Sequence, residues 1–265
     1  MRQFFIIAHN PNSVKSAVRF LKKGANALQP DVCYHPDKDD FFMYDKDKFW
    51  ERWNPFIKKP RLADYLSKFS AVLTAEPYNL ALLAFDLKGP YTKDDSEVFA
   101  YDINRLYQII RDNFSLAHPD VAILTTVASE DGFRFLVNIK GNQRPNEIIG
   151  VDQHIRCTEV HDFFKYSGLS YTYATGTSAP LPADSKTFID DITYAIKLRN
   201  FGQSFKLVYI WTLTLKQTME TYLDMDVDGM LVNKNRVNEL LQLLSTKYSG
   251  KYQLAKRGWK PFATR

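Results

Sequence analysis

Cysteine is scarce in this chain. Among 265 residues there are two, Cys33 and Cys157. One disulfide could join them, but nothing in the sequence demands it, and two free thiols in a reducing compartment is the plainer reading. Long apolar runs are also missing. The longest, such as residues 4–8, are far too short to cross a bilayer. That run is also too short for a secretory h-region, and no small-residue cleavage site follows it. The chain as given is therefore expected to be cytoplasmic, or a mature form that has lost a leader. Low-complexity stretches, long linkers and repeats are absent, and the composition excludes a disordered or collagen-like chain. An excess of one charge sign is small: 35 basic residues less 30 acidic ones leaves +5. That excess would attract phosphates, anionic lipid or nucleic acid only weakly. No basic stripe interleaved with aromatics accompanies it, so a nucleic-acid partner is not expected.

What is present is a dense alternation of short apolar runs and amphipathic stretches. Hydrophobic residues make up 45% and aromatics 14%, enough for one large core. Strand-like runs fall at 4–8, 27–33, 80–87, 121–127, 148–151, 169–173, 205–213 and 227–232. Helix-like segments between them fall at 13–23, 61–73, 96–113, 159–167, 184–198, 216–224 and 237–245, with 131–144 ambiguous. The first helix takes Ser13 or Asn12 as its cap. Eight strands, each followed by a helical stretch, predict an α/β fold of the TIM-like (β/α)8 barrel type. One domain would then span residues 1–265. A doubly wound open sheet is the rival topology.

The barrel reading places chemistry at the C-terminal ends of the strands, and useful polar residues fall there. The first strand ends at His9, the second holds Gln29 and Asp31, and the third ends with Asp86 and Lys88. The seventh ends near Trp211 and the eighth at Asn233. A strand sends alternate side chains to one face, so Gln29 shares a face with Asp31, and Asp86 with Lys88. Two carboxylates plus an amide oxygen suit a hard cation such as Mg2+, which takes oxygen ligands and keeps waters for a substrate phosphate. Lys88 would balance phosphate charge, and His9 would serve as acid–base group or nucleophile. Each residue has a plainer alternative: a structural His9, helix-capping carboxylates, a Lys88 that merely neutralises them, a core Trp211, and a helix-capping Asn233.

His9, the following helix and Gly24-Ala25-Asn26-Ala27-Leu28-Gln29-Pro30-Asp31-Val32 resemble the opening of the glycerophosphodiester phosphodiesterase superfamily. The stretch Phe85-Asp86-Leu87-Lys88 is similar to the third metal-ligand strand of its sphingomyelinase D/phospholipase D group from spider venoms. Tyr209-Ile210-Trp211-Thr212 and Asp228-Gly229-Met230-Leu231-Val232-Asn233 resemble two further motifs of that group. The stretch from Ala255 to Phe262 resembles its terminal segment, which implies that residues 250–265 form a tail packed on the barrel base. The resemblance implies a barrel of the PLC-like phosphodiesterase type with a divalent metal, most simply Mg2+. Its substrate would be a phospholipid or another phosphodiester small molecule, met at a peripheral membrane surface. In the implied site His9 and Lys88 are catalytic, Gln29, Asp31 and Asp86 bind metal, and Trp211 and Asn233 contact substrate.

The chain departs from that group at informative places. Gln29 stands where the group has a metal-ligand Glu, so the three ligand positions carry −2 instead of −3 and metal affinity should fall. The group's second catalytic His falls, by spacing, on Tyr44 or Asp45. The Asp two residues after the Trp-Thr pair is Thr214, and the disulfide-rich loop is absent. Losing one acid–base group commonly costs ~10²–10⁴-fold in rate. His35, Tyr44 and Asp45 are the surrogate acid–base candidates. His35 lies four residues beyond Asp31, roughly 13 Å in extended chain, and would reach the site only through a folded-back loop. Tyr44 would need tuning from a pKa near ~10. These departures keep a second reading open: a barrel that has lost catalysis and binds a phosphorylated ligand, lipid surface or protein. The aromatic-rich stretch holding Phe41, Phe42, Met43, Phe49, Trp50, Trp53 and Phe56 either packs under the barrel rim or forms an apolar lip for lipid.

Overall fold

The computed structural model describes residues 1–45, 59–89, 101–128, 130–139, 141–152, 155–177, 185–202 and 205–260. Its strands are β1 (Arg2–His9), β2 (Ala27–Gln29), β3 (Asp31–His35), β4 (Asp40–Phe42), β5 (Leu82–Lys88), β6 (Ala122–Val127), β7 (Glu147–Asp152), β8 (Tyr171–Gly176), β9 (Phe205–Leu213), β10 (Gly229–Val232) and β11 (Tyr252–Leu254). The helices are α1 (Val14–Lys22), α2 (Leu62–Ala75), α3 (Ile103–Ile110), α4 (Glu130–Val137), α5 (Cys157–Phe164), α6 (Lys186–Asn200), α7 (Lys216–Asp224) and α8 (Val237–Ser245). Parallel pairing runs from β1 through β10, β9, β8, β7, β6 and β5, and β2 bridges β5 back to β1. The result is a closed eight-strand parallel barrel with helices between the strands. The closure decides against the open-sheet alternative.

The run expected as one strand over 27–33 is two. Pro30 has no N–H to donate, and its carbonyl accepts instead from the Asp86 N–H at 3.0 Å. Beyond it, β3 continues beside β5 with Asp31 opposite Asp86, and then turns back through β4. The stretch 131–144 is helical over its first part, and the segment expected as a helix from residue 96 is described only from 101 on.

Strand alternation sorts the core into two layers. Phe5, Ile7, Ala27, Leu82, Ala84, Leu124, Ile148, Leu207 and Leu231 fill the barrel interior. Their neighbours Phe4, Ile6, Ala8, Leu83, Phe85, Ile123, Ile149 and Val208 face outward under the helices. Strands buried on both faces read as continuous apolar runs, as parallel sheets require.

The N-terminal end of the barrel is sealed by side-chain and tail contacts. The Asn26 Oδ1 accepts from the Ile6 N–H at 2.7 Å, and its Nδ2 donates to the carbonyls of Phe4 and Ala255 at 2.9 Å each. β11 runs beside residues 2–4 of β1, and the Trp259 ring meets Phe5 edge-on at 4.9 Å. Asp228 accepts from Arg199 at 2.6 Å, from Arg2 at 3.0 Å and from the Val208 N–H at 2.9 Å. His118 joins the same end, bound to Ser70 at 3.0 Å and to Arg257 at 3.2 Å. Both cysteines are buried, and no disulfide joins them. Among the described residues no helix is long and apolar enough to cross a membrane.

At the opposite end, Gly176 lies beside Trp211 in the β8–β9 ladder. A Cβ at Gly176 would collide with the Trp211 backbone carbonyl, which cannot swing aside as a side chain could. Gly176→Ala is expected to cost about 3 kcal/mol or more, lowering the melting temperature by at least roughly 6 °C. Calorimetric melting of the purified variant checks this; an unchanged melting temperature would refute the packing argument.

Candidate active site

The interior-facing positions change character toward the C-terminal ends of the strands. On β1 they read Phe5, Ile7, His9; on β2, Ala27, Gln29; on β5, Leu82, Ala84, Asp86, Lys88. On β6 they read Ala122, Leu124, Thr126; on β7, Ile148, Gly150, Asp152; on β9, Leu207, Tyr209, Trp211. Ladder register levels them: His9 beside Gln29, Asp31 beside Asp86, and Asp86 beside Thr126. Apolar layers thus support a polar top layer, and the level of each side chain follows from strand parity and register.

Lys88 is the cation at the centre. Its Nζ lies 2.6 Å from Asp86 Oδ2 and 3.7 Å from Asp31 Oδ1. Asp31 is fully buried, and Asn12 grips it twice: Asn12 Nδ2 donates to Asp31 Oδ2 at 2.7 Å, and Asn12 Oδ1 accepts from the Asp31 N–H at 2.8 Å. The helix cap falls instead to Ser13, whose side chain accepts from the Ser16 N–H.

Burial dominates the electrostatics. Loss of water pushes the Asp31 carboxyl up to about 8, with repulsion from Asp86 adding to it and Lys88 opposing it. The Asp86 carboxyl rises for the same first reason, again opposed by Lys88. Asp152 is raised well above the usual carboxylate range by burial and by Asp86. The Lys88 ammonium is held charged: Asp86, Asp31 and Asp152 outweigh the burial that would lower its pKa.

Gln29 binds Asp152. Its Nε2 donates to Asp152 Oδ2 at 2.6 Å, and the Thr126 hydroxyl lies 3.2 Å from the same oxygen. The Tyr209 hydroxyl sits beside the Gln29 side chain without completing a hydrogen bond. His9 is half-buried at the rim, with Nδ1 3.3 Å from Asn233 Oδ1. The Asn233 carbonyl oxygen can accept from a His9 Nδ1–H, with the donor and acceptor roles of the ring set by its tautomer. Trp211 packs half-buried against the interior layer.

The structure therefore brings His9, Gln29, Asp31, Asp86, Lys88, Trp211 and Asn233 to one mouth. Of the three surrogate candidates, Asp45 is buried and its charge reaches Asp31 and Asp86. Tyr44 packs with Cys33 and Phe42, with Lys59 over its ring at 4.7 Å. His35 sits in the β3–β4 hairpin opposite Asp40, with Phe42 at 6.0 Å from its ring. Phe41, Phe42 and Met43 are buried, Phe41 against Tyr34 and Tyr101. Phe49, Trp50, Trp53 and Phe56 lie outside the described residues. Asn12, Thr126 and Asp152 join the cluster without having been marked as site residues by sequence. Asp152 would have been found by extending the 148–151 run one residue, because it continues the parity of Ile148 and Gly150.

The donor set has the chemistry of a hard-cation site. Asp31 Oδ1, Asp86 Oδ1 and Gln29 Oε1 are buried oxygens with no hydrogen-bond partner, and such oxygens normally have one. All three are ligand types for Mg2+ or Ca2+. Among the described residues no group of three His, Cys, Asp or Glu side chains stands preformed as a ligand set; Lys88 lies between the two carboxylates instead.

A closed parallel barrel whose mouth gathers an imidazole, buried carboxylates and an ammonium defines a TIM barrel of the phosphodiesterase type. A family model described as dermonecrotic toxin SPH matches residues 1–262. The chain belongs to this dermonecrotic toxin (sphingomyelinase D) family, whose members are phosphodiesterase enzymes. It is 22% identical over 276 residues to dermonecrotic toxin LapSicTox-alphaII1 of Loxosceles apachea, covering 98% of this chain and 99% of the toxin. It is 26% identical over 294 residues to a dermonecrotic toxin of Loxosceles laeta, covering 99% and 89%. The fold is similar to a glycerophosphodiester phosphodiesterase from Parabacteroides distasonis, with a TM-score of 0.65, 17% identity, and 93% and 99% of the two chains covered. It is also similar to an Oleispira antarctica phosphodiesterase solved with its product sn-glycerol-3-phosphate, with a TM-score of 0.64, 10% identity, and 92% and 98% covered.

The raised carboxyls set a direction for pH. A carboxyl whose folded pKa exceeds its unfolded value stabilises the fold below the unfolded pKa and loses that contribution as pH rises through the folded one. For Asp31 the loss runs from the usual 3.8 up to about 8. Asp31→Asn removes this titration. With divalent cations chelated, its stability relative to the wild type is expected to grow from pH 4 to pH 8 in denaturant titrations. A difference that is flat or shrinks over that range would contradict the assigned burial.

Proposed function

We propose that the chain is a cation-assisted phosphodiesterase acting on a phospholipid or glycerophosphodiester headgroup. The observation that carries this reading is the buried cluster of Asp31, Asp86 and Lys88 beside His9, at the end of a barrel whose family is that of the dermonecrotic toxins. We read the whole chain as one barrel, with the tail after residue 250 closing its base.

Asp31, Asp86 and the Gln29 carbonyl oxygen would hold a divalent cation, with Mg2+ the natural choice for an all-oxygen set that also meets phosphate. Such a cation supplies Lewis-acid polarisation of the phosphoryl oxygens. His9, oriented by Asn233, presents Nε2 to take a proton from the attacking oxygen. Lys88 can turn from Asp86 toward a phosphate oxygen and offset its charge. Trp211 walls the pocket on one side. Asp45 is the best-placed second acid–base group, because its charge reaches the site. A barrel that binds a phosphorylated ligand without turnover is the second reading. It is favoured by the lack of histidine at both Tyr44 and Asp45, near which the resemblance expects one, and by the burial of Tyr44 in a small apolar cluster.

Purified protein assayed with Mg2+ against lysophospholipids, sphingomyelin and glycerophosphodiesters tests the choice. The proposal expects cation-dependent headgroup release, and a drop of about 10²–10⁴-fold in kcat for His9→Ala. Calorimetric binding of a lipid phosphate with no turnover on any substrate would favour the second reading. Turnover untouched by His9→Ala would overturn the role of that residue.

A further inference from the structure

The base of the barrel holds a nearly fully buried histidine, His118, tied to the tail that closes this end. Arg257 Nη2 lies 3.2 Å from His118 Nδ1. A guanidinium can only donate, so this hydrogen bond needs an unprotonated Nδ1. The ring proton is then on Nε2, which lies 3.2 Å from the Ser70 carbonyl oxygen and 3.0 Å from the Ser70 hydroxyl. The neutral imidazole thus bridges α2 to the tail, one nitrogen donating and the other accepting.

The groups around the ring come from four places. From α2 it meets the uncharged Ser70, from the turn over 111–115 the Phe114 ring at 4.9 Å, from the tail Arg257, and from its own loop Asp120. Burial holds the imidazole below its ordinary value of 6.5, and Arg257 adds to this; the Ser70 carbonyl and Asp120 oppose it. A second proton on the ring would turn Nδ1 into a donor aimed at a guanidinium, with two cations face to face.

The rest of the local tail is held lightly. Arg257 also donates to both Asp120 oxygens at 2.6 and 2.7 Å, but Asp120 is 43% exposed, and exposed ion pairs contribute little. The Gly258 N–H donates to the Asp120 carbonyl, and Trp259 lies on Phe5. Before this segment, β11 and the Ala255 N–H are paired with β1. That pairing involves no titrating side chain.

We propose that His118 is a pH-sensitive latch: protonation of its ring breaks the hydrogen bond from Arg257 and releases residues 256–260 from the barrel base, while β11 stays paired. Release lifts Trp259 off Phe5 and so uncovers the innermost layer of the core from below. The sign follows from linkage. Docking favours the neutral ring, so the hold on the tail is complete above the ordinary 6.5 and is lost as pH falls through the lower docked value. The latch lies at the opposite end from the mouth and is tested without any substrate or cation.

The test is hydrogen exchange of the full chain at pH 7.5 and pH 5.0, corrected for intrinsic rates, with β11 as internal reference. Wild-type protection over residues 256–260 is expected to fall with pH, by about tenfold for each unit by which docking depresses the imidazole. His118→Gln stays uncharged and can still accept from Arg257 and donate to Ser70, so its tail protection should not change with pH. The carboxyls at the mouth titrate in both proteins and cancel in this comparison. Arg257→Gln keeps a donor but removes the cation, and NMR titration of His118 should then show its pKa raised towards 6.5. That variant serves if near-UV circular dichroism shows His118→Gln unfolded. Equal wild-type protection at the two pH values would overturn the proposal. So would a pH dependence that survives in His118→Gln, or a His118 titration that Arg257→Gln leaves unmoved.

Discussion

The ammonium of Lys88 between Asp86 and Asp31 is the contact on which the mouth of the barrel depends. Three largely buried carboxylates lie on the inner side of adjacent or nearby strands, and the Lys88 ammonium acts on all three. Removing a charge from water costs several kcal/mol unless partners replace the solvent. Here the partners are arranged in advance: Asn12 clamps Asp31, Gln29 and Thr126 hold Asp152, and Lys88 takes Asp86. The arrangement works only while ladder register keeps these side chains level. The apolar layers below, from Phe5 and Ile7 to Leu124 and Leu207, are therefore also part of the site.

The two ends of the barrel divide the work. At the N-terminal end buried charges are fully matched: Asp228 receives Arg199, Arg2 and a backbone N–H, and Asn26 uses both of its amide atoms. At the C-terminal end matching is incomplete, with carboxylate and amide oxygens that have no donor. Unsatisfied buried oxygens cost stability, and they collect at the end of a (β/α)8 barrel where chemistry is built.

Much of this is legible in the sequence, for reasons that can be named. The eight apolar runs are readable because parallel strands buried on both faces cannot carry polar residues until they reach the mouth. His9, Asp86 and Lys88 stand out because they end such runs. The gripping role of Asn12 is hidden, because an Asn one residue before Ser13 reads equally well as a helix cap; only tertiary placement shows its amide on Asp31. Asp152 is hidden by a strand end drawn one residue early, and that single residue adds a buried carboxyl held by Gln29 and Thr126. The split at Pro30 is readable from the missing N–H, but it does not disturb the parity joining Gln29 and Asp31 at one mouth. Which of Tyr44 and Asp45 has its charge felt by the site is beyond any spacing argument, since it depends on how the chain returns from the β3–β4 hairpin.

The account stands or falls on whether the excess negative charge at the mouth is a cation site. Crystals grown with Mn2+, with anomalous scattering recorded near the manganese edge, address this directly. The account predicts one strong anomalous peak within about 2.0–2.6 Å of carboxylate oxygens of Asp31 and Asp86, with the Lys88 ammonium moved away from Asp86 Oδ2. An empty mouth at saturating Mn2+, with Lys88 still paired to Asp86, would contradict it.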